Sequence, residues 1–223
     1  MKKSLLAIAL TAAIVTPSVM AHQQGDIVVR VGATMVSPDD SSGNIFAGDA
    51  DLGVGLKVDS NTQLGLNVAY FLTDNINVEL LAATPFTHDV DFSVTDPLGT
   101  GTRLGEVTHL PPTVTVNYYF NDSASAFQPY VGAGLNYTIF FDEEFTRANR
   151  ETGLGDLSLD NSFGLAAQVG MDYMLDKQWH INASVRWIDI DTDATFSVGD
   201  ARGTVGDIQI DPWVYTISVG YTF

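Results

Sequence analysis

The closing stretch Trp213-Val214-Tyr215-Thr216-Ile217-Ser218-Val219-Gly220-Tyr221-Thr222-Phe223 decides the fold. Its large apolar and aromatic residues fall on the odd positions, whereas Thr216, Ser218, Gly220 and Thr222 fall on the even ones. A period of two belongs to a strand, whose successive side chains point to opposite faces. One face of this strand is greasy and aromatic; the other is small and polar.

Working outward, the same two-faced pattern recurs over 27–35, 64–72, 76–83, 113–120, 131–139, 163–173 and 179–187, which brings the count to eight strands. The polar faces carry Gly32, Gly65, Gly132, Gly134, Gly164 and Gly170, as the crowded inner wall of a narrow barrel requires. Aromatics such as Tyr70, Tyr118, Phe120, Tyr173, Trp179, Trp187 and Trp213 sit on the apolar face near strand ends, where interfacial belts are found. A soluble barrel turns its large apolar residues inward, and a membrane barrel turns them outward. The inverted pattern predicts an all-β, eight-stranded, antiparallel, up-and-down transmembrane barrel.

Connections alternate short and long. Those at 73–75, 121–126 and 175–178 are brief, and those at 37–62, 85–111, 142–160 and 189–207 are long. Short periplasmic turns and long outer loops are the rule for such barrels, so both termini are expected in the periplasm and four long loops outside. The start of the chain agrees. Lys2 and Lys3 precede an apolar run too short to span a bilayer, and Val19-Met20-Ala21 supplies small residues for cleavage. Residues 1–21 therefore read as a secretory signal peptide and 22–223 as one barrel domain. The expected location is the outer membrane of a Gram-negative bacterium, with the lipid bilayer and lipopolysaccharide as surroundings.

With 27 acidic residues against 10 Lys and Arg, the formal net charge is −17, which argues against nucleic acid as a partner. The four long connections hold 20 of the acids and 5 of the bases, an acidic crown. Asp189, Asp191 and Asp193 imitate the start of a calcium loop, but Ala194 and Asp200 stand where its glycine and glutamate belong, so no metal site is expected. The chain has no cysteine, and no cofactor motif is read. His22, His88, His109 and His180 are the histidines on which a hydrolase could be built. His88 and His109 share one long connection with Asp89, Asp91, Glu106 and Thr108, yet no nucleophile stands in an elbow, and no catalytic residue is expected.

On the inner face Arg30, Glu79, Asp172 and Arg186 are expected to pair, because an isolated charge in a narrow lumen carries a large desolvation cost. Phe71, Leu81, Ile188 and Ile190 break the polar pattern, and are read as an apolar path in the outer half.

Particular strings narrow the choice among small barrels. Gln63-Leu64-Gly65-Leu66, Val78-Glu79-Leu80-Leu81-Ala82-Ala83-Thr84-Pro85-Phe86, His109-Leu110-Pro111-Pro112-Thr113, Ile188-Asp189-Ile190-Asp191-Thr192 and Asp211-Pro212-Trp213-Val214 resemble the outer membrane protein W family. The resemblance covers nearly all of the chain after the leader. It implies a partly hydrophobic interior that admits small hydrophobic ligands and releases them sideways into the membrane. The terminal Tyr221 and Phe223 resemble the signal by which such barrels are handed to the barrel assembly machinery. The alternative reading is a structural or stress-adaptation protein with a closed lumen, whose loops meet phage, bacteriocin or host surfaces.

Overall fold

The computed structural model describes residues 21–39, 46–47, 50–51, 55–92, 98–120, 122 and 124–223. Residues 1–20 of the expected leader, 1–21, lie outside them. In chain order the strands are β1 (Ile27–Ser37), β2 (Phe46–Ala47), β3 (Ala50–Asp51), β4 (Leu56–Val58), β5 (Asn61–Thr73), β6 (Ile76–Ala83), β7 (Phe86–Phe92) and β8 (Arg103–Leu110). Then come β9 (Thr113–Tyr119), β10 (Phe127–Phe145), the short helix α1 (Arg147–Glu151), β11 (Leu154–Leu159) and β12 (Ser162–Met174). The last four are β13 (Trp179–Ile188), β14 (Asp191–Val198), β15 (Ala201–Gln209) and β16 (Trp213–Thr222).

Eight of these strands close a ring in the order β1, β5, β6, β9, β10, β12, β13, β16 and back to β1, with every pair antiparallel. Closure matters because lipid offers no hydrogen bonds, so an open sheet edge inside it would leave backbone groups unpaired. Ile217 is 69% exposed and Val219 50%, while Ser218 between them is 4% exposed. The large side chains therefore face outward and the small polar ones face the bore.

Two exposed aromatic belts bracket the aliphatic band. Tyr70, Tyr118, Phe120, Tyr173, Trp179 and Phe223 lie toward the short turns, and Tyr137, Phe163 and Trp213 toward the long connections. The turns are tied by side chains: the Thr73 hydroxyl accepts from the backbone N–H of Ile76 at 3.0 Å, and Asp176 accepts from those of Gln178 and Trp179 at 2.8 and 2.7 Å. Gly170 and Gly220 are needed for close approach. A Cβ at the first would collide with the Tyr130 ring, and one at the second with the His180 imidazole.

Among the described residues the four long outer connections are largely strand. β4, β7 and β8 continue the barrel sheet upward from β10, and β11, β14, β15, β2 and β3 form a second sheet. The period-two pattern runs on in them: Phe86, His88, Val90 and Phe92 are buried along β7, and Thr192, Ala194 and Phe196 along β14. Their solvent-facing positions are so rich in acids that the sequence reads as loop.

Replacing Ile217, mid-strand on the lipid face, by Lys is expected to cost about 2–4 kcal/mol, whereas Ile217→Leu stays within about 1.5 kcal/mol of the parent. Denaturant unfolding from phospholipid vesicles measures both. Equal stability of Ile217→Lys and Ile217→Leu would show that this face does not meet lipid.

Candidate functional site: a bridged bore beneath an apolar cup

At the periplasmic end the bore has an aromatic floor. Val28, Ala69, Phe71, Tyr119 and Tyr130 pack there, and the His22 ring stacks on Phe71 at 4.5 Å and meets His180 edge-on at 5.1 Å. Phe71 thus corrects the sequence reading, which placed it in the outer half. Strand β5 descends toward the periplasm, and Phe71 pairs with Asn77 beside the Asp74-Asn75 turn.

Above the floor lies a network with two guanidinium groups and two carboxylates. Arg30 donates to Glu79 Oε2 and to Asp172 Oδ2, each at 2.7 Å, and to the Tyr119 hydroxyl at 3.0 Å. Arg186 donates to Glu79 Oε1 at 2.8 Å and to Gln168 Oε1 at 2.6 Å. Asn182 donates to Asp172 Oδ1 at 2.7 Å and to the Tyr130 hydroxyl at 3.0 Å. All four charged side chains are buried, so each depends on its partners for the solvation it has lost. Pairing across the bore means that β1, β6, β12 and β13 are clamped together at this level.

His22, Asp172 and His180 bring ligand-capable atoms within 4.8 Å of one another. Arg30 donates to both Asp172 and His180, the latter at 3.2 Å, and so fills the place that a cation would take. Of the Asp189, Asp191 and Asp193 triplet, the fold gathers the first two with Asp211 instead.

A polar collar follows, in which Thr34 meets Thr216 at 3.1 Å and Asn136 donates to Thr113 at 3.0 Å. Leu81 is buried at this height, opposite Asn67 and Thr113. Above the collar the interior becomes apolar again. Ile188 and Ile190 join Val36, Phe86, Val90, Val107, Phe140 and Val214 in one cluster, topped by Phe92, Phe145, Phe196 and Ile208 in a second. Val36, Val90, Val107, Phe140, Ile190 and Ile208 help line a pocket with about 80 Å³ of free space, in which His88 and His109 carry the only polar side chains among the described residues. The four residues read as a path therefore occupy three levels, with the network between Phe71 and the rest.

His88 and His109 come together where sequence proximity to acids suggested solvated loop. Their rings stack at 5.0 Å with Nε2 atoms 3.0 Å apart, flanked by Phe86 and Phe140. Asp89 faces the other way and pairs with Arg103, because neighbours on a strand point to opposite sides. The parity of β7 and β8 was the signal that could have found the pair.

One seam of the wall is interrupted. The β6–β9 register ends at Leu81–Thr113, and the next pair across it is Phe86–His109 in β7–β8. Between them stand Pro85, Pro111 and Pro112. The flanks bond away from the seam: the Thr84 N–H donates to Leu64 on β5, and the Pro112 carbonyl accepts from the Tyr137 N–H on β10.

Residues 23–223 match the OmpW family. The chain belongs to that family. Outer membrane protein W of Vibrio cholerae serotype O1 is 50% identical over 224 residues, covering all of both chains. The crystal structure of the outer membrane protein OprG from Pseudomonas aeruginosa superposes with a TM-score of 0.85 at 41% identity, covering 92% of this chain and 99% of that one. A more distant relative, at 27% identity over 87% of both chains, is the dibenzothiophene metabolism operon protein PahQ of Pseudomonas aeruginosa. This OmpW-family barrel is an outer-membrane protein of the Gram-negative envelope, lodged in the lipid bilayer.

Two outcomes test the energetics of the site. Arg30→Met strands Asp172 and half of Glu79, and should cost about 3–5 kcal/mol. Adding Asp172→Asn should recover part of that loss in denaturant titrations, and a single variant as stable as the parent would remove the network as a clamp. In the extension above the bilayer, burial lowers the pKa of His88, and burial with His88 alongside lowers that of His109 to about 3. The unfolded imidazoles take up protons below about 6.5 while the folded ones resist, so the extension is most stable above that pH and weakens from 6.5 toward 3. Side-chain NMR should find His109 neutral at pH 5, and a midpoint near 6.5 would contradict its burial.

Proposed function

We propose that this barrel collects small hydrophobic molecules in its outer cup and releases them sideways into the membrane. The observation that carries this reading is the apolar pocket standing over a polar collar and, below that, a salt-bridged bore. An apolar molecule that leaves water for the cup gains the hydrophobic transfer free energy, but the charged layer beneath repels it from a straight path down. The interrupted β6–β9 seam lies at the height of the collar and offers the alternative exit. The kinship with PahQ, whose name ties it to dibenzothiophene metabolism, points to the same chemical class.

The sealed network also favours the second reading, a structural protein whose lumen stays closed and whose acidic outer connections meet other surfaces. The two separate on transport. No catalytic role is assigned to any residue. On this reading residues 1–21 are the cleaved leader, Tyr221 and Phe223 address the barrel assembly machinery, and lipopolysaccharide surrounds the outer rim.

Uptake of naphthalene by cells or proteoliposomes is the test. Ile190→Glu, which puts a charge in the cup above the bilayer, should lower the uptake rate about tenfold. Arg186→Ala should leave naphthalene uptake near that of the parent, since the route departs above it, while raising planar-bilayer conductance. Uptake that is the same for the parent, Ile190→Glu and protein-free vesicles would end the transport reading in favour of the closed lumen.

A further inference from the structure

Phe92, Phe145, Phe196 and Ile208 top the cup. Its side wall is laddered through β4, β7, β8 and β10 on one flank and through β11, β14 and β15 on the other. Between β10 and β11 the ladder is missing. The edge of β10 that pairs with β12 reaches only to Thr138–Ser162, while its other edge follows β8 on to Phe145–Gly105. Across the gap β11 pairs with β14, and among the described residues no ladder joins β10 to β11. Side chains span the gap instead: the Phe140 N–H donates to Asn161 Oδ1 at 3.1 Å, and the Leu159 N–H to Glu143 Oε1 at 3.3 Å. Both lips are bulged. The β10–β8 register slips between Phe141 and Glu144 and the β11–β14 register between Gly155 and Ser158, with Asp142 and Asp156 at φ of 53° and 49°. Bulges of this kind end pairing and re-aim side chains.

An open cleft with about 450 Å³ of free space occupies the outer side of this gap, with Glu143, Glu144, Arg150, Asp156 and Leu157 among its walls. Leu157 also lines the apolar cup. It is partly exposed and packs against the layer of Phe145 and Phe196. One side chain therefore has the outer cleft on one side and the cup on the other. We propose that the β10–β11 cleft is the entrance to the cup, where small hydrophobic molecules arrive from outside the cell, and that Leu157 is the side chain that turns aside to admit them. This rests on the reading of the cup as a site for such molecules, and adds the way in. Rotamer changes of partly exposed side chains are fast, so Leu157 can clear the passage without any strand unfolding. An apolar molecule that slides past it trades water for hydrocarbon contact from the first step.

The chain has no cysteine, so a single one can be placed on the lip and blocked in the assembled barrel. Glu144→Cys replaces an exposed side chain whose surface pair with Arg150 contributes little. Lys57→Cys, on β4 and separated from β10 by β7 and β8, is the control. Cells carrying each variant are treated with a bulky, membrane-impermeant maleimide, and naphthalene uptake is timed before and after. Blocking Glu144→Cys should slow uptake about tenfold, within the span over which association rates respond, while treated Lys57→Cys and treated parent keep their rates. Each labelled barrel is compared with itself before labelling, so misfolding cannot imitate the block. With the full barrel in lipid nanodiscs, Leu157→Trp should slow the approach of naphthalene binding to equilibrium and leave the final occupancy near that of the parent. Ile208→Ala alters the lining of the cup and not of the cleft, and should do the reverse. If Leu157→Trp lowers occupancy without touching the rate, Leu157 is a wall of the cup and its role at the entrance is overturned. If parent cells take up naphthalene and blocking at 144 has no more effect than blocking at 57, the entrance fails and the hydrophobic cup survives. If the parent takes up no more than cells lacking the barrel, both fail.

Discussion

Hydrocarbon cannot hydrogen-bond to a peptide group, and that constraint shapes everything else in the molecule. It forces the eight strands into a closed ladder, which fixes two faces for every strand. Once the ring is closed, parity along the chain decides the surroundings of each side chain. The odd positions of β16 go to lipid, and the even positions must share a bore too narrow for free water around every polar group. The charged clamp of Arg30, Glu79, Asp172 and Arg186 follows from that crowding: charges admitted to such a space persist only by satisfying one another.

The same constraint ends at the headgroups, and the architecture changes there. Above the Trp213 and Phe163 belt the strands continue into water, their outward positions turn acidic, and their inward positions turn apolar. The inner and outer preferences of the membrane segment are exchanged. A cup greasy inside and charged outside is the ordinary arrangement of a water-soluble β-structure, mounted on a membrane barrel that has the opposite polarity.

This exchange explains how much of the molecule the sequence disclosed. The spanning strands were legible because alternation between large apolar and small polar residues is hard to produce otherwise; 76–83 coincides with β6, and 27–35 falls within β1. The outer strands were hidden because the rule they obey is reversed and their acids read as loop. The charged inner-face residues could be read from parity, but their partners across the bore could not, since Arg30 and Asp172 meet only after the ring closes. Phe71 was placed at the wrong end because parity gives the face of a residue and not its height, which depends on the direction in which its strand runs. His88 and His109 show the remaining limit: their shared face was available from the sequence, whereas their stacking came from pairing β7 with β8.

Pro85, Pro111 and Pro112 give the interrupted seam a character of its own. Proline has no N–H to contribute, so these positions cannot be zipped into the ladder by a shift of register or by slow breathing of the strands. Elsewhere in the wall, parting two strands would mean breaking backbone bonds in a medium that offers no replacement. At this slot no strand pair stands between Leu81–Thr113 and Phe86–His109. The gap in the ladder is thus written into covalent structure, at a fixed height, instead of arising from thermal fraying.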